Sequence, residues 1–166
     1  MATVVSVPCV ADKLCRDTVR AVVASGYPYR FVFLNPDDDA AYGQWWRRVW
    51  ARGETVIVCE HDVVPTKAQL ATVQRCGHGW CSFAYHGSMY PRGPMFGLVR
   101  LADRTMHDHP FAADVALEDG ERRPEPVPWW NVDSAMARDL MIRGVQWHEH
   151  LPPVTHLHPG RPSGPP

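Results

Sequence analysis

Lysine is almost missing from this chain. Of 17 basic residues only Lys13 and Lys67 are lysine, and the rest are arginine. Arginine is the better fork for phosphate, yet such an excess is also what a GC-rich genome writes, and that explanation takes the larger share. Net charge is missing as well: the formal value is −1 and the pI is near 6.7. No global basic field therefore advertises nucleic acid or an anionic membrane. Long apolar runs are absent too, and none approaches the roughly 20 residues a membrane span requires. An even set of cysteines is absent as well: the five, Cys9, Cys15, Cys59, Cys76 and Cys81, lie scattered in apolar surroundings. The segment MATVVSVPCV lacks a charged n-region, so no signal peptide, no disulfide framework and a reducing, cytoplasmic setting are expected. Cys76 and Cys81 bracket His78 in CGHGWC. That spacing matches no zinc-ligand pattern, and both cysteines read as small core residues.

What is present is a globular composition, 45% hydrophobic and 21% charged over 166 residues. That is enough for one domain with a real core and too little for two. TVVSVPCV alternates β-branched residues and reads as a strand that stops at Pro8. Asp12 can cap a helix to about Ser25, with Gly26 just past its end. YRFVFLN over 29–35 is a second strand followed by the turn-like PDDD. AAYGQWWRRVWARG reads as a helix closed by Gly53, and TVIVC as the third strand. Thr66 caps TKAQLATVQRC, and WCSFAY over 80–85 is a fourth strand. Such alternation predicts an α/β domain with a mostly parallel central sheet and flanking helices.

The second half is less regular. GPMFGLVRL over 93–101 reads as a strand, and HDHPFAADVALEDGERRPEPVP as a short helix followed by a charged, proline-broken loop. WWNVDSAMARDLMIRG reads as a helix with Asp133 or Asn131 near its cap and Gly144 as its stop. QWHEHLPPVTHLH holds at least one strand-like piece. Residues 1–158 form the domain on this reading, and 159–166, PGRPSGPP, a tail of residues that cannot pack.

The stretch TVIVCEHDVVP is the one that carries chemistry. Five small and apolar residues run into Glu60, His61 and Asp62, and the chain then returns to Val63, Val64 and Pro65. Carboxylates at i and i+2 on extended backbone point to one side. Side by side they repel, and one holds its proton unless a cation is shared. A divalent metal such as Mg²⁺ or Mn²⁺ answers that need with oxygen ligands. In open α/β sheets ligands bind beyond the carboxyl ends of the strands. Asn35 with Asp37, and Glu60 with Asp62, both fall just past such ends.

A buried strand ending in acid-x-acid, followed by Pro and a helix, resembles the metal-binding motif of GT-A-fold glycosyltransferases, here Glu60-His61-Asp62 where Asp-x-Asp is usual. The resemblance implies a GT-A-like, Rossmann-like single domain. It implies a nucleotide-sugar donor, with a UDP-sugar the expectation, and a hydroxyl acceptor such as a modified DNA base, a protein or a saccharide. It further implies Mn²⁺ or Mg²⁺ on Asp62 and Glu60, with His156 or His158 of THLH as a further ligand. By the same resemblance Pro8, Asn35, Asp37 and His61 would line the nucleotide, Asp133 would act as catalytic base, and Trp129 and Trp130 would stack on the acceptor.

Two other classes compete. Eight of the nine histidines lie after residue 77, in HDH, HEH and HLH among other places. Paired histidines at i and i+2 on a strand share a face and can bind a transition metal. That pattern fits a His/Asp metal-dependent hydrolase, although no HExxH helix is present. A non-catalytic binding module would instead use Trp45, Trp46, Arg47, Arg48 and Arg52 on one helix.

Overall fold

The structure, a computed structural model, describes residues 3–85, 96–111 and 129–157. Their strands join in one seven-stranded sheet of order β2-β1-β3-β6-β5-β7-β4. The strands are β1 (Val5–Cys9), β2 (Tyr29–Phe33), β3 (Val56–Cys59), β4 (Val63–Val64), β5 (Trp80–Tyr85), β6 (Leu98–Leu101) and β7 (Trp147–His156). The helices are α1 (Arg16–Ala24), α2 (Ala41–Arg52), α3 (Lys67–Arg75), α4 (Asp103–Asp108) and α5 (Trp129–Ile142).

The α/β class stands, but the mostly parallel sheet does not. β1 pairs in parallel with β2 and β3, and β5 in parallel with β7. β6 runs antiparallel to both β3 and β5, and β4 antiparallel to β7. A four-residue apolar strand such as LVRL reads the same in either direction, so the pattern of apolar runs carries no sign for β6.

Two apolar clusters fill the faces. On one, Trp45, Trp46 and Trp50 of α2 and Met136 and Leu140 of α5 pack against Val56, Val58, Trp80 and Val99. On the other, Val22 of α1 and Leu70 and Val73 of α3 cover Val5, Val7, Ile57, Cys81 and Phe83. Trp45 is 4% exposed and Trp46 fully buried. The aromatic half of the helix that a non-catalytic binding module would use is therefore core.

Local details depart from the sequence expectations in physical ways. Pro8 lies within β1, opposite Val32. The β1–β3 pairing covers only Val5 with Ile57 and Ser6 with Val58, so Pro8, which has no N–H to donate, sits where that ladder has opened. α1 begins at Arg16 with Cys15 as its N-cap instead of Asp12, and the Cys15 N–H goes to the His61 carbonyl at 3.0 Å. Gly26, Gly53 and Gly144 all take positive φ at the helix ends where they were expected. Thr66 caps α3 in a complete capping box with Gln69. Asp133 lies inside α5 and not at its cap. α4 ends in HDH, with His107 in its last turn and His109 as its C-cap residue, and residues 112–128 of the expected helix and loop lie outside the described residues.

Candidate functional site

The opening of β1 from β3 leaves space beyond their carboxyl ends, and β3 delivers Glu60 there. The Glu60 N–H bonds the Gly97 carbonyl at 2.8 Å, and a tight turn closes with the Val63 N–H on the Glu60 carbonyl at 3.2 Å. β4 was not read from the sequence, since two valines are too few to show a pattern, yet it completes the site. Val63 pairs with His156 and Val64 with Thr155, and the Leu157 N–H reaches the Asp62 carbonyl at 2.8 Å. That register sets the His156 ring beside the acids. Its Nε2 lies 3.2 Å from Asp62 Oδ2 and 4.0 Å from Glu60 Oε2. One ligand atom from each of Glu60, Asp62 and His156 falls within 4.8 Å of the others.

Two carboxylates and an imidazole at that spacing form a donor set suited to a divalent cation. The electrostatics show what the set lacks without one. Burial would pull the His156 pKa down, but its hydrogen bond to Asp62 and the charges of Asp62 and Glu60 carry it above the usual histidine value. Burial would likewise raise Asp62, yet the bond and charge of His156, with His61 beside it, hold the carboxyl below its usual range. Protonated His156 and a divalent cation would meet the same need for positive charge beside the two carboxylates.

Asp133 enters from α5 on the opposite side. Burial pushes its carboxyl up to about 6, against the pull of hydrogen-bonding groups on Tyr42, Glu60 and Trp46. The Tyr42 hydroxyl donates to Asp133 Oδ1 at 3.0 Å. Burial, then the charges of Asp133 and Glu60, keep that phenol protonated, so it stays a donor. Glu60 and Asp133 are therefore neighbouring carboxyls within hydrogen-bonding reach of each other. Tyr42 escaped sequence reasoning because it sits among the aromatic core residues of α2, ninety-one positions from its partner. No local signal marks it.

The other expected site residues are spread more widely. His61 sits in the same turn, half-buried, and burial pulls its imidazole below the usual value. Pro8 is buried in β1 near the opened ladder. Asn35 and Asp37 are exposed past β2, where the Asn35 side-chain oxygen accepts from the Asp37 N–H at 3.1 Å. Trp129 and Trp130 open α5, but their side chains lie outside the described part of the structure, as does His158.

Fold and cluster together define an α/β protein with a carboxylate–imidazole centre at the carboxyl end of a central strand. No family model matches the chain, and no curated protein matches it in sequence. Solved structures resemble it at low sequence identity. One is a glycosyltransferase involved in the glycosylation of the major capsid of PBCV-1, at a TM-score of 0.56 and 10% identity, covering 90% of this chain and 82% of that one. Another is A197 from STIV, at a TM-score of 0.48 and 11% identity over 68% of this chain and 71% of that one. The first comparison shows a distant similarity of fold to a glycosyltransferase. Among the described residues no helix is long and apolar enough to cross a membrane.

Proposed function

We propose that this chain is a cation-dependent glycosyltransferase that moves a sugar from a nucleoside-diphosphate sugar to a hydroxyl acceptor. The observation that carries the reading is the juxtaposition of the Glu60–Asp62–His156 cluster with the Glu60–Asp133 carboxyl pair. A fold shared with a glycosyltransferase supports it. Glu60, Asp62 and His156 would hold Mn²⁺ or Mg²⁺, with Mn²⁺ the better match to a set that includes an imidazole. Such a cation supplies Lewis-acid neutralisation of the charge that develops on a leaving diphosphate.

The remaining chemistry belongs to the chain. Asp133, ionised above about 6, takes the proton of the acceptor hydroxyl as that oxygen attacks the anomeric carbon and the nucleoside diphosphate departs. The Tyr42 hydroxyl, bonded to Oδ1, orients the carboxylate. A single displacement of this kind inverts the anomeric centre. The opened ends of β1 and β3 offer the crevice for the nucleotide, with His61 at its wall.

The test is thermal stability against a panel of nucleoside diphosphates, with and without Mn²⁺, followed by turnover of the matching sugar donor. A ligand at a hundredfold excess over its Kd raises stability by about 2.7 kcal/mol. The expected result is a shift with one diphosphate that requires Mn²⁺ and disappears in Asp62→Asn. Absence of any Mn²⁺-dependent nucleotide shift in the folded protein would overturn the reading. Donor cleavage to free sugar that no acceptor redirects would make the protein a hydrolase instead.

A further inference from the structure

The HEH pair and the CGHGWC segment meet on the far side of the molecule. In the parallel β5–β7 register Cys81 lies opposite His148 and Phe83 opposite His150. Cys81 and Phe83 face the cluster covered by α1 and α3, and the alternation of β7 turns His148 and His150 to the same face. α3 ends over that face, with Cys76 as its C-cap residue. The ring centroids of His148 and His150 are 4.6 Å apart, and exposed His78 stacks flat on His148 at 4.2 Å. One ligand atom from each of Cys76, His148 and His150 lies within 4.8 Å of the others. Metal–ligand bonds of 2.0–2.3 Å put tetrahedral donors roughly 3.5 Å apart, so a small closure of the three groups completes the geometry.

An orphaned atom points the same way. His150 Nε2 is buried and has no hydrogen-bond partner among the described residues. A ring nitrogen hidden from water without a partner is costly, and a metal removes that cost. Cys81 supplies the surrounding shell. Its thiol lies within hydrogen-bonding reach of Cys76. A thiol so placed can donate to the Cys76 sulfur, the kind of outer contact that orients a ligand thiolate.

We propose that Cys76, His148 and His150 form a second metal site, selective for a borderline-soft ion of the Zn²⁺ class, which pins the end of α3 to β7. One thiolate and two imidazoles suit Zn²⁺, whereas the carboxylate-rich cluster at Glu60 suits Mn²⁺ or Mg²⁺. The two sites lie at different places along β7, and the site at Cys76 stands whether or not the chain is a transferase. CGHGWC alone matches no zinc pattern because two of the three ligands come from a strand far along the chain.

Co²⁺ titration of the full chain, stripped of metal and kept reduced, tests this. One equivalent should produce a thiolate-to-cobalt charge-transfer band and intense tetrahedral visible bands, both abolished by Zn²⁺. Cys76→Ser should remove the charge-transfer band. His148→Gln and His150→Gln should each weaken Co²⁺ binding by more than about tenfold, with far-UV circular dichroism confirming a folded chain. Asp62→Asn should leave the band unchanged. No thiolate band in folded wild-type protein would overturn the proposal. So would a band that survives Cys76→Ser and disappears in Cys81→Ser.

Discussion

At the scale of a single residue, Asp133 is the side chain whose stability cost and chemical use are most directly linked. Burial raises its carboxyl to about 6 from an ordinary 3.8. A carboxyl raised in the folded state contributes stability that is present below its unfolded value and lost as pH rises through the folded one. At neutral pH the ion therefore sits where the fold resists it. Asp133→Asn removes the charge and keeps an oxygen for the Tyr42 hydroxyl. In metal-free protein this variant should be more stable than wild type by on the order of 2 kcal/mol at neutral pH. The gain should vanish near about pH 4, where the wild-type group is itself protonated. Transferase turnover should meanwhile fall by about two orders of magnitude or more. Paired denaturant melts across that pH range check the first part, and a variant no more stable at neutral pH than at low pH would contradict it. The acid limb of kcat/KM in wild type should fall near the same value, about 6, because only the ionised form accepts a proton.

At the scale of elements, the joint between α3 and β7 decides whether His156 reaches the acids. Between Phe83 and Tyr85 the β5–β7 register shifts, so that Phe83 faces His150 but Tyr85 faces Val154. The extra residues of β7 swing its end across to β4. Gln69 holds that irregular stretch: its Nε2 donates toward the Pro152 and Pro153 carbonyls at 3.4 and 3.3 Å, while its Oε1 accepts the Thr66 N–H at 2.9 Å. One side chain thus closes the capping box of α3 and fastens β7 to it. Thr66→Ala loses only the cap, about 1 kcal/mol, or about 2–4 °C in Tm for a chain of this size. Gln69→Leu should cost more, because it loses half the box and leaves two carbonyls without their donor. It should also weaken Mn²⁺ binding through His156, which Thr66→Ala should spare. Equal effects of the two variants on Mn²⁺ affinity would mean that Gln69 serves the helix alone.

At the scale of the whole molecule, what could be read in advance was whatever a short segment declares by itself. Glu60 and Asp62 stood out because they break a buried strand, and Gly26, Gly53 and Gly144 because helix ends need positive φ. The partners were hidden because strand pairing chose them. Nothing in HLH distinguishes His156 until Val63 is found opposite it, and Tyr42 is one aromatic among several on α2. The assembled cluster has a pH signature that no segment predicts. In the metal-free chain the His156–Asp62 pair stabilises the fold within a window. His156 is raised above 6.5, so its contribution is present below that value and lost as pH rises through the raised one. Asp62 is lowered below 3.8, so its contribution is present above that value and lost as pH falls through the lowered one. A cation competes with the His156 proton and so responds in the opposite sense to the histidine term. Stabilisation by Mn²⁺ should grow as pH rises through the His156 transition, while the metal-free protein loses stability over the same range. His156→Gln should flatten both trends and leave a smaller Mn²⁺ shift from Glu60 and Asp62. Thermal melts with Mn²⁺ or chelator, in both proteins and across that range, provide the measurement. A wild-type Mn²⁺ shift that does not change with pH would remove His156 from the ligand set and leave the cation to the two carboxylates.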